Sequence, residues 1–246
     1  MVLVEWEVTL ECNYDCFYCT NLDKTILPSD NIDSFVKMIK ETYPDVELFV
    51  FGGEPFVHPS IEYIIETLHK YNVDFVVQTN LSRKSIRSMK SISVPFKANV
   101  SVHPSEVKRE LILQSLKDVP DNVSLQTIDV MYTGKEAIKY YLDAKDFGKN
   151  CYLTPIADFG DGVSSKILEE YNEMRSHKVW SRIIRFEDVK RLGKYRSQLW
   201  ENYNPRGKPC LYDNEYFLYG PNMQLYNCCY RENHTGICNH DKCFLM

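Results

Sequence analysis

"LVEWEVTL" (residues 3–10), followed at once by "ECNYDCFYC" (residues 11–19), decides the reading of this chain. The first stretch alternates apolar and polar side chains, the period of a strand. The second puts Cys12, Cys16 and Cys19 into eight residues, with Tyr14, Phe17 and Tyr18 between them. The chain's nine cysteines are an odd number, poorly suited to a complete set of disulfides. Residues 1–10 hold neither a basic n-region nor a long apolar h-region, so no secretory signal is read there. No run approaches the ~20 apolar residues that span a membrane. The expected compartment is the cytoplasm, where thiols stay reduced. Clustered reduced cysteines read first as metal ligands and second as redox catalysts.

Further strands are expected at "VELFVF", "VDFVVQT", "KANVSVH", "VSLQTIDVM" and "CYLTPI", short runs rich in Val, Ile, Phe and Thr. Helical periods lie between them. Ile32, Phe35, Val36 and Ile39 follow i, i+3, i+4, i+7 spacing, and Ile61, Ile64, Ile65 and Leu68 repeat it behind Pro59-Ser60. Later helices are expected over 105–117, 135–147 and 164–180. Strands alternating with helices imply a parallel sheet. Six such units are too few for a closed eight-stranded barrel, so the fold class is α/β, a partial (β/α)6 barrel. At 246 residues there is room for one sizeable core and a small appended module. The expected division is a core over 1–174, a basic segment over 175–208 and a cysteine-rich module over 209–246.

Ligands of parallel α/β sheets sit at the carboxyl ends of the strands. The chemically informative stretches fall on that rim. The cysteine loop follows strand one, "GGEP" (Gly52, Gly53, Glu54, Pro55) follows strand two, Thr79 and Asn80 end strand three, and Ser101 to His103 end strand four. The spacing C-x3-C-x2-C offers three thiolates and no nearby fourth ligand, whereas structural zinc takes four. A [4Fe–4S] cluster normally takes four cysteines, so three leave one iron open for a substrate or cofactor.

With Tyr18 just before the last cysteine, and "GGEP" after strand two, the sequence resembles the radical S-adenosylmethionine enzymes. The resemblance covers roughly residues 1–165. It implies that Cys12, Cys16 and Cys19 hold a catalytic [4Fe–4S] cluster whose open iron chelates S-adenosylmethionine. Reductive cleavage would then give a 5'-deoxyadenosyl radical that abstracts a substrate hydrogen. It further implies that Gly52, Gly53, Glu54 and Pro55 form the loop for the methionine amino group. Asn80 would lie on the same cofactor rim, Ser101 would contact the ribose, with Gln126 a second candidate, and Tyr18 and Ile156 would neighbour the adenine. The glycines would let backbone approach the ligand closely. His103 reads as a loop histidine or a substrate contact, Cys151 as a buried apolar residue or a thiol hydrogen donor. An electron donor such as flavodoxin or ferredoxin is an implied partner.

The tail holds Cys210, Cys228, Cys229, Cys238 and Cys243. "EYFLY" and "QLYN" read as a hairpin about "GPNM". This resembles the SPASM and twitch auxiliary-cluster modules, with Met223 where their turn glycine stands and Gly220 expected to supply the flexibility. A second [4Fe–4S] cluster on Cys210, Cys228, Cys238 and Cys243 is implied, with Cys229 spare. Zinc on the same thiolates, joined by His234 or His240, is the alternative. Enzymes with such tails mostly modify peptides or proteins, or dehydrogenate small alcohols, and a peptide or protein group is the expected substrate.

Net charge is −5, yet residues 175–208 carry ten Lys or Arg against three acids. Aromatic residues (Trp180, Phe186, Tyr195, Trp200, Tyr203) punctuate that stretch. Cations interleaved with aromatics suit phosphate and base contacts, so a nucleotide or a nucleic-acid base is the alternative substrate. Amphipathic helices with outward lysines account for the same pattern. A metal-stabilised binding protein without the reaction is the non-enzymatic reading.

Overall fold

The computed structural model describes residues 2–19, 25–26, 31–147, 150–156, 162–176, 216–221 and 223–226. Six strand–helix units run along the chain. Strands β1 (Val2–Thr9), β2 (Val46–Gly52), β3 (Asp74–Thr79), β4 (Phe96–Val102), β5 (Val123–Tyr132) and β6 (Asn150–Pro155) alternate with helices α1 (Ile32–Thr42), α2 (Ile61–Lys70), α3 (Arg83–Met89), α4 (Arg109–Lys117), α5 (Ala137–Lys145) and α6 (Val163–Ser176). Strands β7 (Tyr216–Tyr219) and β8 (Leu225–Tyr226) follow. The sheet order is β6-β5-β4-β3-β2-β1-β7-β8. All neighbours are parallel except β7 and β8. The architecture is the expected α/β partial barrel, with a seventh parallel strand.

Alternation separates the two faces of the sheet. Val4, Trp6 and Val8 of β1 join Leu48 and Val50 of β2 and Val77 of β3 in the buried core under the helices. Trp6 packs on Phe35 of α1 with ring centroids 4.7 Å apart. Burying each such side chain contributes about 1.5–3 kcal/mol. The opposite positions, Glu5, Glu7, Glu47, Gln78, Asn99, Ser101 and Asp129 among them, share the inner face. The apolar stripe of α1 buries Ile32, Phe35, Val36 and Ile39, the four positions its period picks out.

Four differences from the sequence reading have physical causes. Helix α3 was not expected, because only Ser85, Ile86 and Met89 of its seven residues are buried. Its start is fixed by Ser82, whose side chain accepts from the Ser85 N–H. Helix α4 begins at Arg109 rather than near 105. The intervening chain turns back on His103, whose carbonyl accepts from Glu106 N at 2.9 Å. The hairpin of the tail exists, but β7 pairs with β1 in parallel and thereby joins the main sheet. In its turn the left-handed residue is Met223 itself, at φ +59°, and not Gly220.

Candidate functional site

The cysteine loop leaves β1 at the carboxyl rim and is held from three sides. Behind it, Leu10 N donates to Thr25 O at 2.7 Å, so the chain returns to the strand it left. Beside it lies the loop after β2. Gly53 N donates to Thr9 O at 2.7 Å and Glu54 N to Glu11 O at 2.9 Å. A Cβ on Gly52 would stand 2.0 Å from Thr9 O, and one on Gly53 would stand 2.2 Å from Glu11 O. Gly52 also has φ +136°. The approach that demands glycine is therefore to the backbone of residues 9–11, where the sequence suggested a ligand.

On the third side stands the end of β4. Tyr18 Oη lies 2.7 Å from His103 Nδ1, and Cys16 Sγ lies 3.5 Å from the same nitrogen. The two rings stack at 6.1 Å with 13° between their planes. Asp15 N donates to Glu106 Oε2 at 3.2 Å. Burial pushes the His103 imidazole down to about 4, so it is neutral near pH 7. His103 thus braces the cysteine loop.

The three thiols face an anionic neighbourhood. Burial pushes Cys16 up to about 12, and the charges of Glu106, Cys12 and Cys19 add to it. Burial also raises Cys12, with Glu54 and Cys19 adding to it. Cys19 is exposed. Thiolates are the form that binds metal, and a positive centre would relieve this mutual repulsion. Among the described residues no three His, Cys, Asp or Glu side chains converge on the point a single ion would take. Cys12, Cys16 and Cys19 would hold a [4Fe–4S] cluster rather than a single ion. The donor set of three coupled thiols on one loop fits such a cluster.

Glu54 is fully buried, and its carboxylate is taken up by the end of β3 and the start of α3. It accepts from Asn80 N at 2.6 Å, Thr79 Oγ1 at 2.9 Å, Ser85 Oγ at 3.0 Å and Phe56 N at 3.3 Å. Burial pushes it up to about 7 although these hydrogen bonds pull the other way. Pro55, also buried, opens a single 3-10 turn over Pro55–Val57. Asn80 reaches the cysteine loop, with Nδ2 2.9 Å from Asn13 Oδ1 and 3.9 Å from Cys12 Sγ.

Ser101 lies on the inner face and accepts from Gln78 Nε2. Ile156 is buried at the end of β6. Gln126 is not brought to the rim. It is the extra residue of a bulge, since Ala98 pairs with Leu125 and Asn99 with Thr127. It is exposed and donates to Ser124 O and Oγ. Asp129, near the carboxyl end of β5, is on the inner face instead, accepting from Thr127 and Thr154, both at 3.3 Å. Cys151 is buried on the helix side, its thiol 3.8 Å from Tyr141 O. Sequence reasoning missed Asn13, Gln78 and Ser85. Alternation from Thr79 places Gln78 on the inner face beside Ser101, a signal that was available. Cys210, Cys228, Cys229, Cys238 and Cys243 lie outside the described residues, as does the basic stretch after residue 176.

A family profile described as the radical SAM superfamily matches residues 6–129, half of the chain. The chain belongs to the radical SAM superfamily. Membership implies an enzyme that uses a [4Fe–4S] cluster and S-adenosylmethionine. A GTP 3',8-cyclase of Helicobacter pylori is 33% identical over 128 residues, which are 47% of this chain and 38% of that protein. The "Probable GTP 3',8-cyclase" of Thermococcus kodakarensis is 28% identical over 152 residues, or 56% and 44% of the two chains. The match thus spans less than half the length of these curated relatives. Streptococcus suis SuiB bound to precursor peptide SuiA shares the fold, with a TM-score of 0.57 at 13% identity, over 99% of this chain and 63% of that one. Native anSMEcpe with bound AdoMet and the Cp18Cys peptide gives 0.55 at 16% identity, over 94% and 75%.

Proposed function

We propose that this radical SAM protein modifies a peptide or protein group, with Cys12, Cys16 and Cys19 as the ligands of its catalytic cluster. When bound, the reduced cluster and S-adenosylmethionine supply a 5'-deoxyadenosyl radical that can take a hydrogen atom from an unactivated carbon. The chain's own residues hold and shield that chemistry. Gly52 and Gly53 lock the loop after β2 against residues 9–11, which fixes the two rim loops relative to each other. Tyr18 and His103 cover one side of the thiols. Ser101, oriented by Gln78, offers a hydroxyl on the inner face for the ribose.

One observation carries the choice of substrate. The described inner face holds Glu5, Glu7 and Asp129, while Glu47, Asp74 and Lys97 stand at the amino ends of their strands, Lys97 pairing with Asp74 at 2.6 Å. Such a surface repels a triphosphate and favours neutral or cationic groups. A nucleotide substrate is the second reading, supported by the relatives named GTP 3',8-cyclase and by the cations of residues 175–208. In either case Cys210, Cys228, Cys238 and Cys243 are proposed to hold an auxiliary [4Fe–4S] cluster, with zinc the alternative. A low-potential donor such as flavodoxin or ferredoxin is the proposed reductant.

The test is anaerobic reconstitution followed by assay of 5'-deoxyadenosine. Changing Cys12, Cys16 and Cys19 together to Ala is expected to abolish its formation, and retained cleavage would refute the ligand assignment. Stimulation by GTP but not by candidate peptides would transfer the conclusion to the nucleotide reading. Two clusters correspond to about eight irons per chain; about four irons with one zinc would make the tail a zinc site.

A further inference from the structure

The amide of Asn80 can be oriented without ambiguity. Backbone N–H groups only donate, so the atom 3.0 Å from Ser82 N is Oδ1. Ser85 Oγ lies 3.3 Å from the same oxygen. Nδ2 must then face the cysteine loop. One of its hydrogens serves Asn13 Oδ1 at 2.9 Å, and the other is free to point at Cys12 Sγ at 3.9 Å. The backbone is held from the far side, where Asn80 N donates to Glu54 Oε2 at 2.6 Å. Leu81, next in the chain, is fully buried in a left-handed conformation at φ +52°. Asn80 itself is only 5% exposed. Buried Glu54 thus sets the position of the backbone from which this amide reaches the sulfur.

We propose that the side-chain N–H of Asn80 is a hydrogen-bond donor to the Cys12 sulfur that raises the reduction potential of the cluster, with Glu54 as its positioning residue. The inference rests on the reading of Cys12 as a ligand. An added electron places negative charge partly on the cluster's sulfurs, and an N–H aimed at one of them stabilises the reduced form more than the oxidised form. Tyr14 N, 3.4 Å from Cys12 Sγ, gives the same kind of help from within the loop. Asn80 supplies it from β3, through a contact that depends on the loop after β2. The step concerned is a one-electron reduction, with the electron leaving a low-potential protein donor that is oxidised by one electron.

The experiment is an EPR-monitored redox titration of the reconstituted full chain, with iron counted on each sample. Asn80→Ala is expected to keep its iron and to shift the reduction equilibrium about tenfold toward the oxidised form, ~59 mV for one electron. Asn80→Asp, which keeps the shape but cannot donate when ionised, should shift it at least as far. A variant that keeps full iron with the wild-type midpoint overturns the inference. If both variants lose their iron, Asn80 secures the loop and does not tune the sulfur, and the inference is again overturned. Cys12→Ala separates this from the underlying reading. If that variant keeps the wild-type iron and signal, the ligand assignment itself has failed.

Discussion

Glu54 ties the loop after β2 to its neighbours from within the core. The resemblance gives it to the cofactor loop, and its carboxylate meets Thr79, Asn80 and Ser85. Its folded-state pKa of about 7 lies above the ordinary 4.5. The folded protein therefore holds a proton that the unfolded chain releases. Stability from this group is complete below pH 4.5 and is lost as pH rises toward 7, by about 3 kcal/mol at ~1.4 kcal/mol per unit. Urea midpoints compared for the wild type and Glu54→Gln across that window should show the slope in the wild type alone. Gly52→Ala tests the neighbouring contact. It adds a left-handed penalty to a clash with Thr9 O, and should cost about 3 kcal/mol by thermal unfolding. Both glycines were readable as special from the sequence. What they approach was not, because the partner is a backbone more than 40 positions away.

Elements were readable where one period runs long enough to outvote its exceptions. The buried faces of α1 and α2 were both picked out, and so were six strands. Gln126 lies mid-strand at a bulge, and the slip of the apolar positions from Val123 and Leu125 to Ile128 and Val130 is its mark in the sequence. Helix α3 escaped for lack of apolar positions. Adjoining elements are also tied by charge. Arg109 grips Asp143 with both arms, Nη2 standing 2.7 Å from Oδ1, and so links α4 to α5. The arginine is 42% exposed and the aspartate 20%, so Arg109→Ala should move the urea midpoint only slightly downward.

The whole molecule is organised around β1, which lies between β2 and β7. Phe217 and Tyr219 of β7 extend the aromatic packing, Tyr219 meeting Phe35 at 5.1 Å and Phe217 meeting Tyr43 at 5.0 Å. No local pattern could have announced a pairing between the first strand and one more than 200 positions later. Leu218→Pro removes an N–H from the middle of β7 and should lower the unfolding midpoint. It should also leave β1 as a bare edge, visible as self-association on size-exclusion chromatography.

That distant pairing gives the chain a timetable. At about 5–20 residues per second, β7 leaves the ribosome roughly 10–40 s after β1. Throughout that interval the strand carrying the cysteine loop has one side open to other chains. Any machinery that delivers iron and sulfide to a nascent chain would find the first three cysteines made and their supporting strand still half dressed.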